Sequence, residues 1–367
     1  MSWGRKIWKV GWRLLICLVL LGWIFHSIFS NEGRWVWERN GRSWASLDTL
    51  SRWKVAWTYG PVELMRTLTL VEKKFFVFSL FLMGLTILLG VARWRMVLAA
   101  QGLMLSWYRA TAISFIAHFF NSFLLGSTGG DLIKAYYAAR ETQHKKTEAV
   151  VAVFVDRLIG LWTMLLFAVL MIGPNWKIFS RDHRLISIAI LILAMFVGGS
   201  VLLALAFWGR LLQRWPGGWQ VLKGIPKGEL LEKSLDSCVH FGRSPVLLLR
   251  AVAISMLLNA VCVLQFLALA HGLQVSISAA AMFAIVPIVI CIAALPITPS
   301  GLGVRESLFV ILLSAPGIGV AQTPALSISL LAFAGSLFWS LTGGVVYVFL
   351  RHREHLDEFT QTGDARL

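Results

Sequence analysis

Charge is what this sequence has least of. Only 14% of its residues are Asp, Glu, Lys or Arg, where soluble domains carry about 25%, and 57% are hydrophobic. Acids are scarcer than bases, 18 against 34, which leaves a formal net charge of +16. Cysteine is also rare: Cys17, Cys238, Cys262 and Cys291 form no CxxC and no metal-ligand spacing, so neither a disulfide framework nor a metal site is expected. A chain so poor in charge has too little polar surface for a soluble fold, and it reads as an integral membrane protein. The basic excess falls mostly in loops and tails. There it marks the cytoplasmic side and attracts anionic lipid; nucleic acid is not an expected partner, and no cofactor is implied.

What the chain does have is long apolar runs. They predict an all-α polytopic membrane protein with six full spans and two opposed re-entrant helical hairpins, arranged as an inverted repeat. Residues 1–350 form one transmembrane domain and 351–367 a cytoplasmic tail. The first span follows Arg5, Lys6, Lys9 and Arg13 and ends near Phe29; it has no small-x-small cleavage site and is read as retained. The other spans are Phe75–Ala92, Ala149–Ile172, Leu185–Phe207, Val246–Leu269 and Ala325–Leu350. Between the first two, residues 31–74 hold Trp35, Trp37, Trp44, Trp53 and Trp57, and tryptophan favours the headgroup layer. Short helices on the outer membrane surface are therefore expected there. Residues 209–245 are basic and amphipathic, which suits the cytoplasmic surface. With this topology 19 Lys and Arg lie inside and 11 outside, so both termini are placed in the cytoplasm and the protein in the cell membrane.

Two stretches cannot cross a bilayer as ordinary helix: GSTGGDLIKAYYAAR at 126–140 and PITPSGLGVRESL at 296–308. Unwound backbone is tolerated at membrane depth only where protein buries it or a wet cavity meets it. Each stretch is read as the tip of a hairpin, one entering from the cytoplasm and the other, Ser278–Ser314, from the opposite face. Asp131–Glu141 allows about three helical turns, roughly half of a 30 Å core. A basic turn with Arg93, Arg95 and Arg109 precedes the first hairpin, whose rising helix carries His118 and Asn121 on one face. Hydrogen bonding between helices is the commoner use of such a pair.

Asp131, Lys134, Asp156, Arg157, Arg305 and Glu306 all fall at predicted membrane depth. Each costs about 2.5–3.5 kcal/mol there on insertion scales, so the set is expected to share a polar cavity. Three acids against three bases also allow mutual salt bridging. The flanking glycines, Gly129, Gly130, Gly301 and Gly303, let main-chain amides approach an anion at a helix start. Together these ten residues form the predicted binding site for a phosphate-bearing group.

The runs ARWRMVLAAQGL, FFNSFLLGSTGGDLIKAYYAAR, VFVDRLIGL and LPITPSGLGVRES resemble the lysylphosphatidylglycerol synthase transmembrane family, the flippase-like domain of MprF-type proteins. The resemblance covers about residues 91–172 and 246–350. It implies opposed re-entrant hairpins and lipid translocation, with Asp131 in the GGD motif, Asp156 and Arg157 in the DR pair, and Arg305 and Glu306 in GVRE. Leu125, Ser300 and Lys134 depart from the family's usual proline, glycine and arginine. Only 17 residues follow Leu350, too few for the aminoacyl-transferase domain of the full-length synthases. The expected function is therefore a lipid flippase-like transporter for an anionic or phosphate-bearing headgroup, not an enzyme. A polyprenyl-phosphate sugar transferase and a non-transporting accessory subunit are the competing readings.

Overall fold

The computed structural model describes residues 22, 25–26, 29–30, 32–34, 36–38, 40–123, 129–141, 146–207, 245–295 and 301–364. All regular structure among them is helical. In chain order the helices are α1 (Thr49–Thr69), α2 (Lys73–Ala100), α3 (Trp107–Phe123), α4 (Gly129–Glu141), α5 (Lys146–Ile172) and α6 (Trp176–Phe179). There follow α7 (His183–Phe207), α8 (Pro245–Gly272), α9 (Ala279–Ala293), α10 (Val304–Leu313) and α11 (Gln322–Asp364).

Five of these are long and apolar enough to cross a membrane: α2, α5, α7, α8 and α11. They match five of the six predicted spans. The other, ending near Phe29, falls largely outside the described residues, as do most of the 209–245 stretch and the tips 126–128 and 296–300. Two boundaries moved. α2 runs eight residues past the expected end at Ala92, because RWRMVLAA continues a good helix former and its arginines find partners. α11 likewise carries on through the predicted tail, where RHREHLDEF has neither glycine nor proline to stop it.

The chain divides into two compact units, each assembled from several stretches. The first comprises Met1–Thr86, Leu161–Gly199 and Met256–Gly335. Its core gathers Phe167, Phe266, Met282, Ile285, Phe309 and Leu326, with Phe266 stacked on Phe309 at 4.9 Å. α9 and α10 pack as a helical hairpin within it. Ser278 caps α9 by accepting the Ala281 N–H at 3.1 Å, and Ser314 ends α10, so this hairpin has the limits expected from sequence. α1 packs through its small residues: a Cβ on Gly60 would lie 2.4 Å from Phe29, and one on Gly33 2.8 Å from Ala56. Trp53 and Trp57 stack on each other beside His26, whose Nδ1 accepts from Trp57 Nε1 at 3.2 Å.

The second unit comprises Ile87–Gly160, Ser200–Ser255 and Ser336–Leu367. Here α3 and α4 form the other helical hairpin, around a core of Trp94, Leu98, Ile113, Ile116 and Val155. Backbone, not side chain, sets its spacing. A Cβ on Gly130 of α4 would lie 2.1 Å from the Ala117 carbonyl of α3, and one on Gly343 of α11 would lie 2.0 Å from the Phe115 carbonyl. Only glycine fits either place. The four hairpin helices have 17, 13, 15 and 10 residues, each short of the about 20 needed to span.

Candidate functional site

The six charged residues singled out from sequence occur in two groups, one in each unit. In the second unit, α4 begins with Gly129 and Gly130, both buried, and presents Asp131 in its first turn and Lys134 one turn later. α5 presents Asp156 and Arg157. The two helices meet through crossed ion pairs: Arg157 Nε lies 3.6 Å from Asp131 Oδ2, and Lys134 Nζ 3.5 Å from Asp156 Oδ2. Asp131 thus pairs across to α5, and the Lys134 one turn below it goes to a different acid.

Asp156 also has a partner that sequence reasoning had put elsewhere. Arg93, expected in a surface turn, lies within α2 with its side chain 12% exposed, and its Nε donates to Asp156 Oδ1 at 2.8 Å. Its Nη1 donates to Ser255 Oγ of α8 at 3.0 Å. Its neighbour Arg95 instead reaches the Leu105 carbonyl at 2.9 Å and the Trp107 ring. Between them Trp94 is fully buried, and Lys134 Nζ sits 4.1 Å from the centre of its ring. The ammonium is therefore held by a carboxylate on one side and a π face on the other.

The cluster is graded in exposure. Arg93, Lys134 and Asp156 are 9–12% exposed, whereas Asp131 and Arg157 are about a third exposed. Its three bases and two acids leave one net positive charge among these five residues. His118 and Asn121 do what was expected of them: His118 Nε2 contacts the Ser336 carbonyl of α11 at 3.3 Å, and Asn121 Oδ1 accepts the Gly130 N–H at 2.7 Å. The amide of Gly130 is thus already engaged.

In the first unit, the GLG sequence makes the entry to α10. Gly301 and Gly303 both have positive φ, +70° and +82°, a backbone region only glycine enters cheaply. A Cβ on Gly301 would also lie 2.8 Å from the Ala293 carbonyl, so the turn hugs the end of α9. Glu306, fully buried, reaches back to accept the Gly303 N–H at 2.7 Å. The same carboxylate takes Arg305 Nη2 at 2.7 Å and the Ser329 hydroxyl at 3.2 Å. Arg305 completes its shell with Ser329 Oγ at 3.1 Å and the Phe333 ring. From sequence, the amide at Gly303 was expected to be open to an anion, with the guanidinium of Arg305 beside it. Its partner is Glu306, which also fills that amide, because a glutamate three residues into a helix reaches the start of its own backbone. The bases of Asp156 are Arg93 and Lys134.

A sequence comparison decides the family. The profile described as the lysylphosphatidylglycerol synthase TM region matches residues 49–349. The chain belongs to that family. The match takes in α1 and most of the helical chain, a wider span than the sequence motifs had suggested, so the second half of the tryptophan-rich stretch is part of the lysylphosphatidylglycerol synthase TM region. Among curated proteins, none matches the chain.

Proposed function

We propose that this member of the lysylphosphatidylglycerol synthase TM region family is a lipid flippase-like transporter that carries an anionic or phosphate-bearing headgroup through the membrane. The observation that carries the reading is the Arg93–Asp156–Lys134 cluster with its more open Asp131–Arg157 pair. Charged groups on apolar helices are costly, and this one keeps a net positive charge with an accessible edge. A purely structural network gains nothing from either property. In this reading the sixth span is the helix that ends near Phe29, and α3–α4 and α9–α10 are re-entrant hairpins entering from opposite faces as an inverted repeat. Their short helices and glycine-marked starts support this. Each hairpin carries a charged station: Lys134 and Arg157 on or beside the first, Arg305 on the second. No covalent chemistry is asked of the chain, and both termini lie in the cytoplasm.

The test is reconstitution of the purified protein in phosphatidylcholine vesicles containing a trace of acyl-labelled phosphatidylglycerol, with external quenching to follow the label between leaflets. Movement above that of protein-free vesicles, lost in Arg157→Gln, is expected. Movement equal to the protein-free control would refute the reading.

A further inference from the structure

Asp156 and Gly160 lie one turn apart on α5 and so share a face. Arg93 is seated on that face. Its Nε bonds Asp156 and its Nη1 bonds Ser255 Oγ, which in turn donates to the Ala251 carbonyl at 2.8 Å, fixing the acceptor to α8. Opposite Gly160, a Cβ would lie 2.9 Å from Nη2, 3.0 Å from Nη1 and 3.3 Å from Cζ of Arg93. With Nη1 and Nη2 nearest and Cζ behind them, it is the Nη1–Nη2 edge of the guanidinium that abuts the glycine. A methyl group there would have to push that edge away.

We infer that Arg93 is the positioning residue for anion recognition in this unit, that Gly160 sets its place, and that Lys134 is the cation thereby left available to a phosphate oxyanion. This deepens the headgroup reading given above and rests on it. The distances make the argument. Charge-assisted bonds close to about 2.7–2.9 Å, and Arg93 meets that at Asp156 Oδ1 while Lys134, at 3.5 Å from Oδ2, does not. With Lys134 turned away, Arg93 would still compensate the buried Asp156. Lys134, steadied by the Trp94 face, can turn towards a phosphate oxygen without stranding that carboxylate. When Arg93 is displaced, Asp156 draws Lys134 in, and the ligand loses its cation.

Gly160→Ala, Arg93→Lys and the double variant keep every charge, so they separate position from charge. Binding of soluble dihexanoyl-phosphatidylglycerol and, separately, of inorganic phosphate to the full-length protein in neutral detergent is measured by calorimetry, with thermal unfolding on the same samples. Gly160→Ala is expected to weaken whichever probe the wild type binds by about tenfold, the worth of one polar contact. In the Arg93→Lys background the same substitution should cost nothing more, because lysine has no Nη1–Nη2 edge for the methyl group to displace. Unchanged affinity in Gly160→Ala overturns the inference, and so does an equal loss in both backgrounds. If Gly160→Ala does not fold, Ser255→Ala removes the Nη1 acceptor, along with its bond within α8 to the Ala251 carbonyl, and should weaken binding in the same direction; unchanged affinity there is equally fatal. Wild-type protein that binds neither probe overturns the headgroup reading itself, whereas wild-type binding with an indifferent Gly160 overturns this inference alone.

Discussion

Arg305 and Glu306 can be removed one at a time or together, and the structure sets different costs for each. Arg305→Met leaves the Glu306 carboxylate fully buried, with the Gly303 amide and the Ser329 hydroxyl as its remaining donors among the described residues. Breaking a buried pair this way costs about 3–5 kcal/mol, against about 5–15 kcal/mol for the whole stability of a typical domain. Arg305→Met combined with Glu306→Gln removes both charges and keeps a side-chain carbonyl for the Gly303 N–H. The double variant should therefore be more stable than Arg305→Met alone by at least about 2 kcal/mol, within the range of measured couplings between contacting residues. Thermal unfolding of both variants beside wild type, in one detergent, reads this directly. If Arg305→Met is as stable as the double variant, Glu306 is not the stranded charge supposed here and the reasoning fails. The same samples then address transport. A folded double variant that still moves labelled lipid at the wild-type rate removes Arg305 from the lipid path, and a folded, inactive one is expected.

Gly130→Ala should disrupt the first hairpin, since its Cβ would fall 2.1 Å from a backbone carbonyl that cannot yield; a destabilisation of at least about 1–3 kcal/mol, read by thermal unfolding, is expected. Orientation is open to cysteine labelling: Cys238 should react only from the cytoplasmic side and a cysteine replacing Trp44 only from outside, and labelling of both from one side would reverse the topology. At the start of α1, the Ser51 hydroxyl chiefly holds the Asp48 carboxyl below its usual range. A depressed folded pKa gives support that is present above the unfolded value of about 3.9 and is lost as pH falls through the lower folded value. Protection of the amides in the first turn of α1, taken relative to the intrinsic exchange rate at each pH, should therefore fall on acidification below about pH 4, and Asp48→Asn should flatten that response.

Much of the fold was legible because apolar length is a strong signal. Each long apolar run beyond residue 70 became a membrane-length helix, and Ser278 and Ser314 marked the second hairpin by ordinary capping chemistry. The candidate site was legible by residue type more than by pairing. Asp131, Lys134, Asp156 and Arg157 do come together, yet the sequence allowed mutual salt bridging without saying which acid meets which base, and the pairs run across from α4 to α5. Arg93 was hidden because a basic residue after an apolar run looks like a span's end. Only the acid waiting on another helix shows that the span continues. Glu306 misled for a related reason: a carboxylate beside a glycine-rich break reads as part of a ligand site, while its reach suffices to close the break from within.

The glycine contacts of α3 bear on what can move. Gly130 and Gly343 meet this helix at its carbonyl oxygens, and the ring of Phe119 lies against Gly344. Where side chains interdigitate, a helix can ratchet from one set of notches to the next, a turn at a time. Where bare backbone lies on backbone there are no teeth to skip, and any axial slip or rotation drives a carbonyl into a Cα. α3 is thus gripped as a fixed post. In the transporter proposed above, motion along this unit would fall to the hinged side chains of Lys134 and Arg157, which can swing through several ångströms while the post stands still.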